Sequence, residues 1–242
     1  MLQGRVGLVR FHPAGLFLLT RQRFNLPEKP GPDGPVTSAR VAHRVPCTEA
    51  EGPGKRYALW FQGCPLRCAG CCNPHFLSFS GGELIPLDTL RAEISQAIQE
   101  HGIEGITLLG GEPTAQPDAS SALLEHAHSL GLNTLVFSGH TVEELRARKN
   151  PSVDSMLART DWLVDGPYDH TQPESIRRFI GSANQRLLTL SDRVRANDPR
   201  WLGSNTLEIR MKNGTIEVNG FPTASLESLG PWLGKGAGQP QP

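Results

Sequence analysis

The chain has 242 residues, and its 24 Lys and Arg balance 24 Asp and Glu, so no net field favours nucleic acid or an anionic membrane. That length lets one domain bury a full core, roughly three quarters of the surface exposed by the unfolded chain. No apolar run approaches the roughly 20 residues of a bilayer span. With clustered cysteines and no export signal, the chain is expected in a reducing cytoplasm.

Residues 1–43 read as a poorly ordered or loosely packed extension, because Leu26-Pro27-Glu28-Lys29-Pro30-Gly31-Pro32-Asp33-Gly34-Pro35 is too rich in Pro and Gly for a helix or central strand. The folded unit is expected over 44–222, followed by a flexible tail at 223–242 that is again rich in Gly and Pro. Cys47 reads as a surface thiol or a small packed hydrophobe. The apolar run Tyr57-Ala58-Leu59-Trp60-Phe61 reads as a buried strand.

Directly after it, Cys64-Pro65-Leu66-Arg67-Cys68-Ala69-Gly70-Cys71-Cys72 holds four of the five cysteines. Gly63, Pro65 and Gly70 disfavour helix and strand here, so the sulfurs of the C-x3-C-x2-C set converge from a loop. Thiolates select zinc or iron-sulfur clusters. A [4Fe-4S] cube wants four ligands and the spaced set supplies three. A zinc site would need a fourth, which Cys72, His75 or Cys47 could supply. A disulfide framework does not suit clustered cysteines in a chain of this length.

Asp88 is placed to cap a helix over about 89–100, with Gly102 past its end. A buried strand is expected at 105–109, a helix over about 119–130 stopping at Gly131, and a strand at 133–137. Thr141-Val142-Glu143-Glu144 spells a capping box, and Asp161-Trp162-Leu163-Val164 a fourth buried strand. Strands alternating with helices predict a parallel α/β sheet with ligands at the strand C-termini. Those ends carry Gly110-Gly111-Glu112-Pro113, Ser138-Gly139-His140-Thr141 and Asp165-Gly166-Pro167-Tyr168. Further on, Asn213-Gly214 between two short apolar runs predicts a β-hairpin.

The stretch Trp60 to Pro74 resembles the cluster loop of radical S-adenosylmethionine (SAM) enzymes, in particular the activating enzymes of anaerobic ribonucleotide reductase and pyruvate formate-lyase. The three strand-end motifs resemble their Gly-Gly-Glu-Pro, Thr-Gly-Tyr-Thr and Asp-Gly-Pro-Phe. Arg177 to Arg186 is similar to their Arg-Gly-Ser-x-Asn-Gln-Arg segment, with Ile180 where many have arginine. The likeness covers about Cys47 to Pro222.

The resemblance implies a partial (βα) barrel of the radical SAM type with parallel strands, plus a small C-terminal β-hairpin. It implies that Cys64, Cys68 and Cys71 hold three irons while the amino and carboxylate groups of SAM take the fourth. Gly70, Cys72, Asn73, Gly110, Gly111, Glu112, Ser138 and Asp165 would bind SAM, with Gly111 chosen for close backbone approach. Arg177, Arg178 and Arg186 are either solvated charges or SAM and substrate contacts. His75, His140 and His170 read as surface residues, and no acid-base pair is assigned. The implied activity is reductive cleavage of SAM to a 5'-deoxyadenosyl radical, in an activase that takes hydrogen from a glycine of a partner enzyme and receives electrons from a flavodoxin or ferredoxin. The alternatives are a radical SAM enzyme acting on a small molecule or peptide, and a non-enzymatic zinc or iron-sulfur binding module.

Overall fold

The computed structural model describes residues 36–212 and 215–220 together with the strand 7–9. The rest of the expected N-terminal extension, the Asn213-Gly214 turn and the expected tail at 223–242 lie outside the described residues. In chain order the elements are β1 (Gly7–Val9), β2 (Ser38–Thr48), β3 (Arg56–Phe61), β4 (Glu83–Pro86), α1 (Leu87–His101), β5 (Gly105–Gly110), α2 (Pro117–Ser129), β6 (Asn133–Phe137), α3 (Val142–Ala147), α4 (Pro151–Ala158), β7 (Trp162–Asp165), β8 (Arg186–Thr189), β9 (Leu207–Lys212) and β10 (Thr215–Gly220).

Seven strands form one sheet in the order β4-β2-β3-β5-β6-β7-β8. The central β3, β5, β6 and β7 pair in parallel. The flanking β2, β4 and β8 pair antiparallel with their neighbours, so the sheet is mixed, with the expected parallel strands at its centre. Only strands joined by helical crossovers need to run parallel; β2 and β3 are joined by a short turn segment and reverse direction. β4 and β8 are the two edges and do not pair with each other.

Strand alternation sorts the core into two layers. Tyr57, Leu59 and Phe61 of β3, Ile106 and Leu108 of β5, Val136 of β6 and Leu163 of β7 pack against the helices, meeting Leu90 and Ile94 of α1, Leu123 and Leu124 of α2 and Met156 of α4. The residues between them, among them Trp60, Leu109, Leu135, Phe137, Trp162 and Val164, face the other way and are covered by Phe76, Phe179, Ile180 and Trp201 from loops. Each such fully buried aliphatic or aromatic side chain contributes about 1.5–3 kcal/mol. At the start of β3 the buried Arg56 guanidinium donates to Thr107 Oγ1 at 2.6 Å, the Ile106 carbonyl at 2.6 Å and Asn133 Oδ1 at 2.6 Å, joining the N-terminal ends of three strands.

Helix α1 starts two residues earlier than expected, with Pro86 rather than Asp88 at the cap position. Leu87 N–H donates to the Thr37 carbonyl at 2.8 Å, so a backbone acceptor satisfies that first donor and Asp88 instead pairs with Arg91 at 2.9 Å within the first turn. Gly102 ends the helix at φ 64°. The capping box at Thr141 and Glu144 forms as read, both side chains accepting from each other's backbone N–H. Helix α4 was not anticipated, although Asn150-Pro151 is a start signal: Asn150 Oδ1 accepts from Ser152 N–H at 2.9 Å.

The expected boundary at 43/44 falls inside β2, so residues 38–43 belong to the sheet and not to a loose extension. Ala39 and Val41 are buried there, which the proline-rich stretch just upstream obscured. The expected hairpin is present as β9 and β10, and β1 adds a third strand along β10. It docks on the end of β2 and the segment after it through Asn219 Nδ2 to Thr48 Oγ1 at 2.9 Å and Gly220 N–H to Glu51 Oε1 at 2.8 Å. Among the described residues no helix is long and apolar enough to cross a membrane.

Candidate functional site

The cysteine loop leaves the sheet at the C-terminal end of β3, and its neck is closed by backbone bonds. Gly63 N–H donates to the Phe76 carbonyl at 2.8 Å and Cys64 N–H to that of Leu77 at 3.1 Å. Gln62, buried beneath the neck, donates through Nε2 to the carbonyls of His75 and Ser78 at 3.1 and 2.6 Å. Within the loop, Cys71 N–H bonds the Cys68 carbonyl at 3.2 Å, and Gly70 turns the chain at φ 70°.

The loop after β5 is laced to that neck. Gly111 N–H donates to the Phe61 carbonyl at 2.7 Å and Glu112 N–H to the Gly63 carbonyl at 2.9 Å. These bonds pull the two backbones so close that a Cβ on Gly111 would lie 2.4 Å from the Gly63 oxygen. Positive φ belongs to Gly110, at 106°. The glycine at 111 is therefore required by the cysteine loop beside it, a reason that lies within the chain itself.

Glu112 in turn holds the loop after β6. Its buried Oε1 accepts from the Thr114 hydroxyl at 2.7 Å and the Ser138 hydroxyl at 2.9 Å, and Oε2 accepts from Gly139 N–H at 2.9 Å. All three loops line one cavity. Cys64, Cys68, Cys71, Cys72, Asn73, Gly110, Gly111, Glu112 and Ser138 stand on its wall, joined by Leu66, Leu77, Leu109, Phe137, Gly139, Tyr168, Gly181 and Gln185.

Two expected site residues do not line it. Asp165 is fully buried and spends its carboxylate inside the protein, accepting from Val142 N–H at 2.7 Å and from Arg186 at 2.5 and 2.9 Å. It is a structural anchor for the start of α3 rather than a cavity group. Gly70 is exposed and off the cavity wall, and a Cβ on it would lie 3.0 Å from the His170 side chain.

The three uncertain arginines are all used in structure. Arg177 donates to Glu174 and to the carbonyls of Ala183 and Gln185, Arg178 lies over the Phe179 ring, and Arg186 bridges Asp165 and Glu143. Ile180 is buried in the inner core layer, so the position makes no polar contact. Neither Cys47 nor His75, His140 or His170 lines the cavity. Of the cavity residues not expected from the sequence, Leu66, Gly139, Tyr168, Gly181 and Gln185 stand inside the motifs quoted above; Leu77, Leu109 and Phe137 carry no signal beyond apolarity.

Burial pushes the Cys64 and Cys71 thiols up, while backbone N–H groups of Leu66 and Arg67 at Cys64, and of Asn73 at Cys71, act in the opposite sense. Donors aimed at a sulfur favour its thiolate, the form that binds metal. Among the described residues no three His, Cys, Asp or Glu side chains converge closely enough to hold a single metal ion. A cube distributes its thiolate ligands over separate irons, and three thiols on one loop with apolar surroundings fit that demand.

A parallel sheet with a three-thiol loop at the end of its first parallel strand, facing a cavity walled by the next strand ends, defines an α/β iron-sulfur protein. The chain belongs to the family described as 4Fe-4S single cluster domain, whose model matches residues 50–188, and to the radical SAM activating enzymes within it. It is 29% identical over 157 residues to the anaerobic ribonucleoside-triphosphate reductase-activating protein of Enterobacteria phage T4, covering 63% of this chain and 96% of that one. The protein of the same name from Pasteurella multocida is 30% identical over 148 residues, 58% of this chain and 90% of the relative. Pyruvate formate-lyase 1-activating enzyme of Escherichia coli K12 is 27% identical over 146 residues, and the match spans only 56% of its length.

Proposed function

We propose that this chain is a glycyl-radical-enzyme activase that binds a [4Fe-4S] cluster and SAM in the cavity between the ends of β3, β5 and β6. The observation that carries the reading is the hydrogen-bonded lacing of the cysteine loop, the Gly110-Gly111-Glu112 loop and the Ser138-Gly139 loop into one cavity wall. The chemistry the cluster and SAM supply together when bound is one-electron cleavage of SAM to a 5'-deoxyadenosyl radical that takes a hydrogen atom from the substrate.

The chain's own part is to hold and enclose them. Cys64, Cys68 and Cys71 ligate three irons. Gly110, Gly111, Ser138 and Cys72 contribute wall to the SAM site, with Glu112 holding two of its loops together. Asn73 is buried on that wall and its Oδ1 has no hydrogen-bond partner, an orphaned acceptor suited to the amino group of SAM. Leu66, Leu109, Phe137 and Tyr168 keep water from the reacting atoms. The open sheet with helices on one face and loops filling the other is read as a partial barrel. The partner is a glycyl-radical enzyme, reduction comes from a flavodoxin- or ferredoxin-like donor, and the setting is a reducing cytoplasm.

Anaerobic reconstitution tests this. Close to four irons per chain, and 5'-deoxyadenosine formed from SAM with dithionite, are expected, followed by a glycyl radical in a partner encoded beside this chain. Cys64→Ala, Cys68→Ala and Cys71→Ala should each lose the cluster while Cys47→Ala keeps it. Zinc in place of iron, or a cluster that leaves SAM intact, would sink the proposal.

A further inference from the structure

The cavity carries one thiol more than a three-ligand cluster uses. Cys72 follows directly on Cys71, is partly buried, and stands on the same wall as Cys64, Cys68 and Cys71. Backbone N–H groups approach the sulfurs of its neighbours Cys64 and Cys71. The cysteine loop doubles back through the Cys71 N–H to Cys68 carbonyl bond, so Cys72 re-enters the cavity beside the ligand that precedes it.

A second observation concerns Asn73. It is 9% exposed, lines the same cavity, and leaves Oδ1 unpartnered. A soft donor and an orphaned hard acceptor therefore stand side by side at the place assigned above to SAM. A cube held by three thiolates has one iron without a protein ligand whenever SAM is absent, and a thiolate is the ligand iron-sulfur clusters prefer.

We propose that Cys72 is a displaceable fourth ligand, its thiolate on the fourth iron in the SAM-free protein and released when SAM binds. The inference rests on the functional reading above. The exchange involves no redox change. One iron–sulfur bond breaks, and the amino nitrogen and a carboxylate oxygen of SAM bind the iron. The proton that SAM's ammonium gives up is taken by the freed Cys72 thiolate, and Asn73 Oδ1 accepts an N–H of the bound amino group. Competition of this kind lowers the apparent affinity for SAM by the fraction of protein in the thiolate-bound form.

The test uses the full chain, reconstituted without oxygen, as wild type, Cys72→Ala, Cys72→Ser and the control Cys47→Ala. Without SAM, brief ferricyanide oxidation should convert several-fold more of the Cys72→Ala cluster to the three-iron form, read by electron paramagnetic resonance, than in wild type or Cys47→Ala. Saturating SAM should erase that difference, SAM should bind several-fold more tightly to Cys72→Ala, and Cys72→Ser should fall between. Equal three-iron fractions and equal SAM affinity in wild type and Cys72→Ala, with equal iron, would overturn the inference and leave the functional reading standing. A Cys72→Ala protein that cannot hold iron even with SAM would make Cys72 a permanent ligand and overturn it as well. Wild-type protein that takes up no cluster would overturn both.

Discussion

Glu112 Oε2 accepts the N–H of Gly139 at 2.9 Å, tying the loop after β5 to the loop after β6 through a buried carboxylate in the cavity wall. The other oxygen takes the hydroxyls of Thr114 and Ser138 and the N–H of Thr114, so every partner of this side chain is a donor. Each oxygen faces at least one backbone N–H, a group that can only donate.

Glu112→Gln places an NH2 group against one of these donors. The variant should lose about 1–3 kcal/mol of stability, because whichever way the amide turns, a buried N–H faces an N–H or O–H. Urea unfolding measures the loss. SAM affinity should fall with it while the iron content stays near that of wild type, since the cysteine loop is held by its own neck. Unchanged unfolding would show that the carboxylate is not the joint between the loops.

Gly111→Ala and Gly139→Ala separate two kinds of crowding. The new methyl at 111 meets the Gly63 backbone at 2.4 Å, whereas at 139 it meets the Cδ1 of Leu66, the end of a flexible side chain. Backbone cannot yield without moving Cys64, so Gly111→Ala should cost about 1–3 kcal/mol and lower the iron retained after desalting. Gly139→Ala should cost less and keep its iron. Iron assay and thermal unfolding of the two variants in parallel would decide it, and a Gly111→Ala protein with wild-type iron and stability would refute the packing argument.

Removing Arg186 should destabilise the fold although it lies outside the cavity. Its partner Asp165 is fully buried and would keep only the Val142 N–H. Arg186 is itself 44% exposed, so Arg186→Ala should cost less than breaking a fully buried pair. Glu143→Ala, which deletes only the solvent-facing arm of the bridge, should destabilise clearly less than Arg186→Ala. Equal effects from the two variants would contradict this division.

Asp169 provides an acid-dependent contact. Its carboxylate accepts from the Thr171 hydroxyl, the Gln172 amide and the Thr171 N–H, which hold it down at about 2. A depressed folded value means the contribution is fully present above the ordinary carboxylate range, near 3.8, and is lost as pH falls through about 2. Asp169→Asn should therefore be less stable than wild type at neutral pH, with the two unfolding curves converging below pH 2. A gap that persists at that pH would show that charge is not what the turn uses.

The cysteine spacing, the strands at 57–61, 105–109 and 133–137 and the Thr141 capping box were legible in the sequence because each is a local pattern. The Gly-Gly-Glu and Ser-Gly segments could be placed at strand ends for the same reason. The partners of those segments were decided only in three dimensions. Gly111 needs to be glycine because Gly63 lies against it, and Asp165 faces Arg186 rather than the cavity, both across chain separations that no periodicity encodes. β2 was hidden by its neighbours in sequence: a strand is made by the ladder it joins, and β3 and β4 supply that ladder from residues 56–61 and 83–86. Four thiols could be counted from the chain alone, but that Cys72 enters the same cavity as the three spaced cysteines depends on how the loop turns between Cys68 and Cys71, which its closed neck and the walls after β5 and β6 determine.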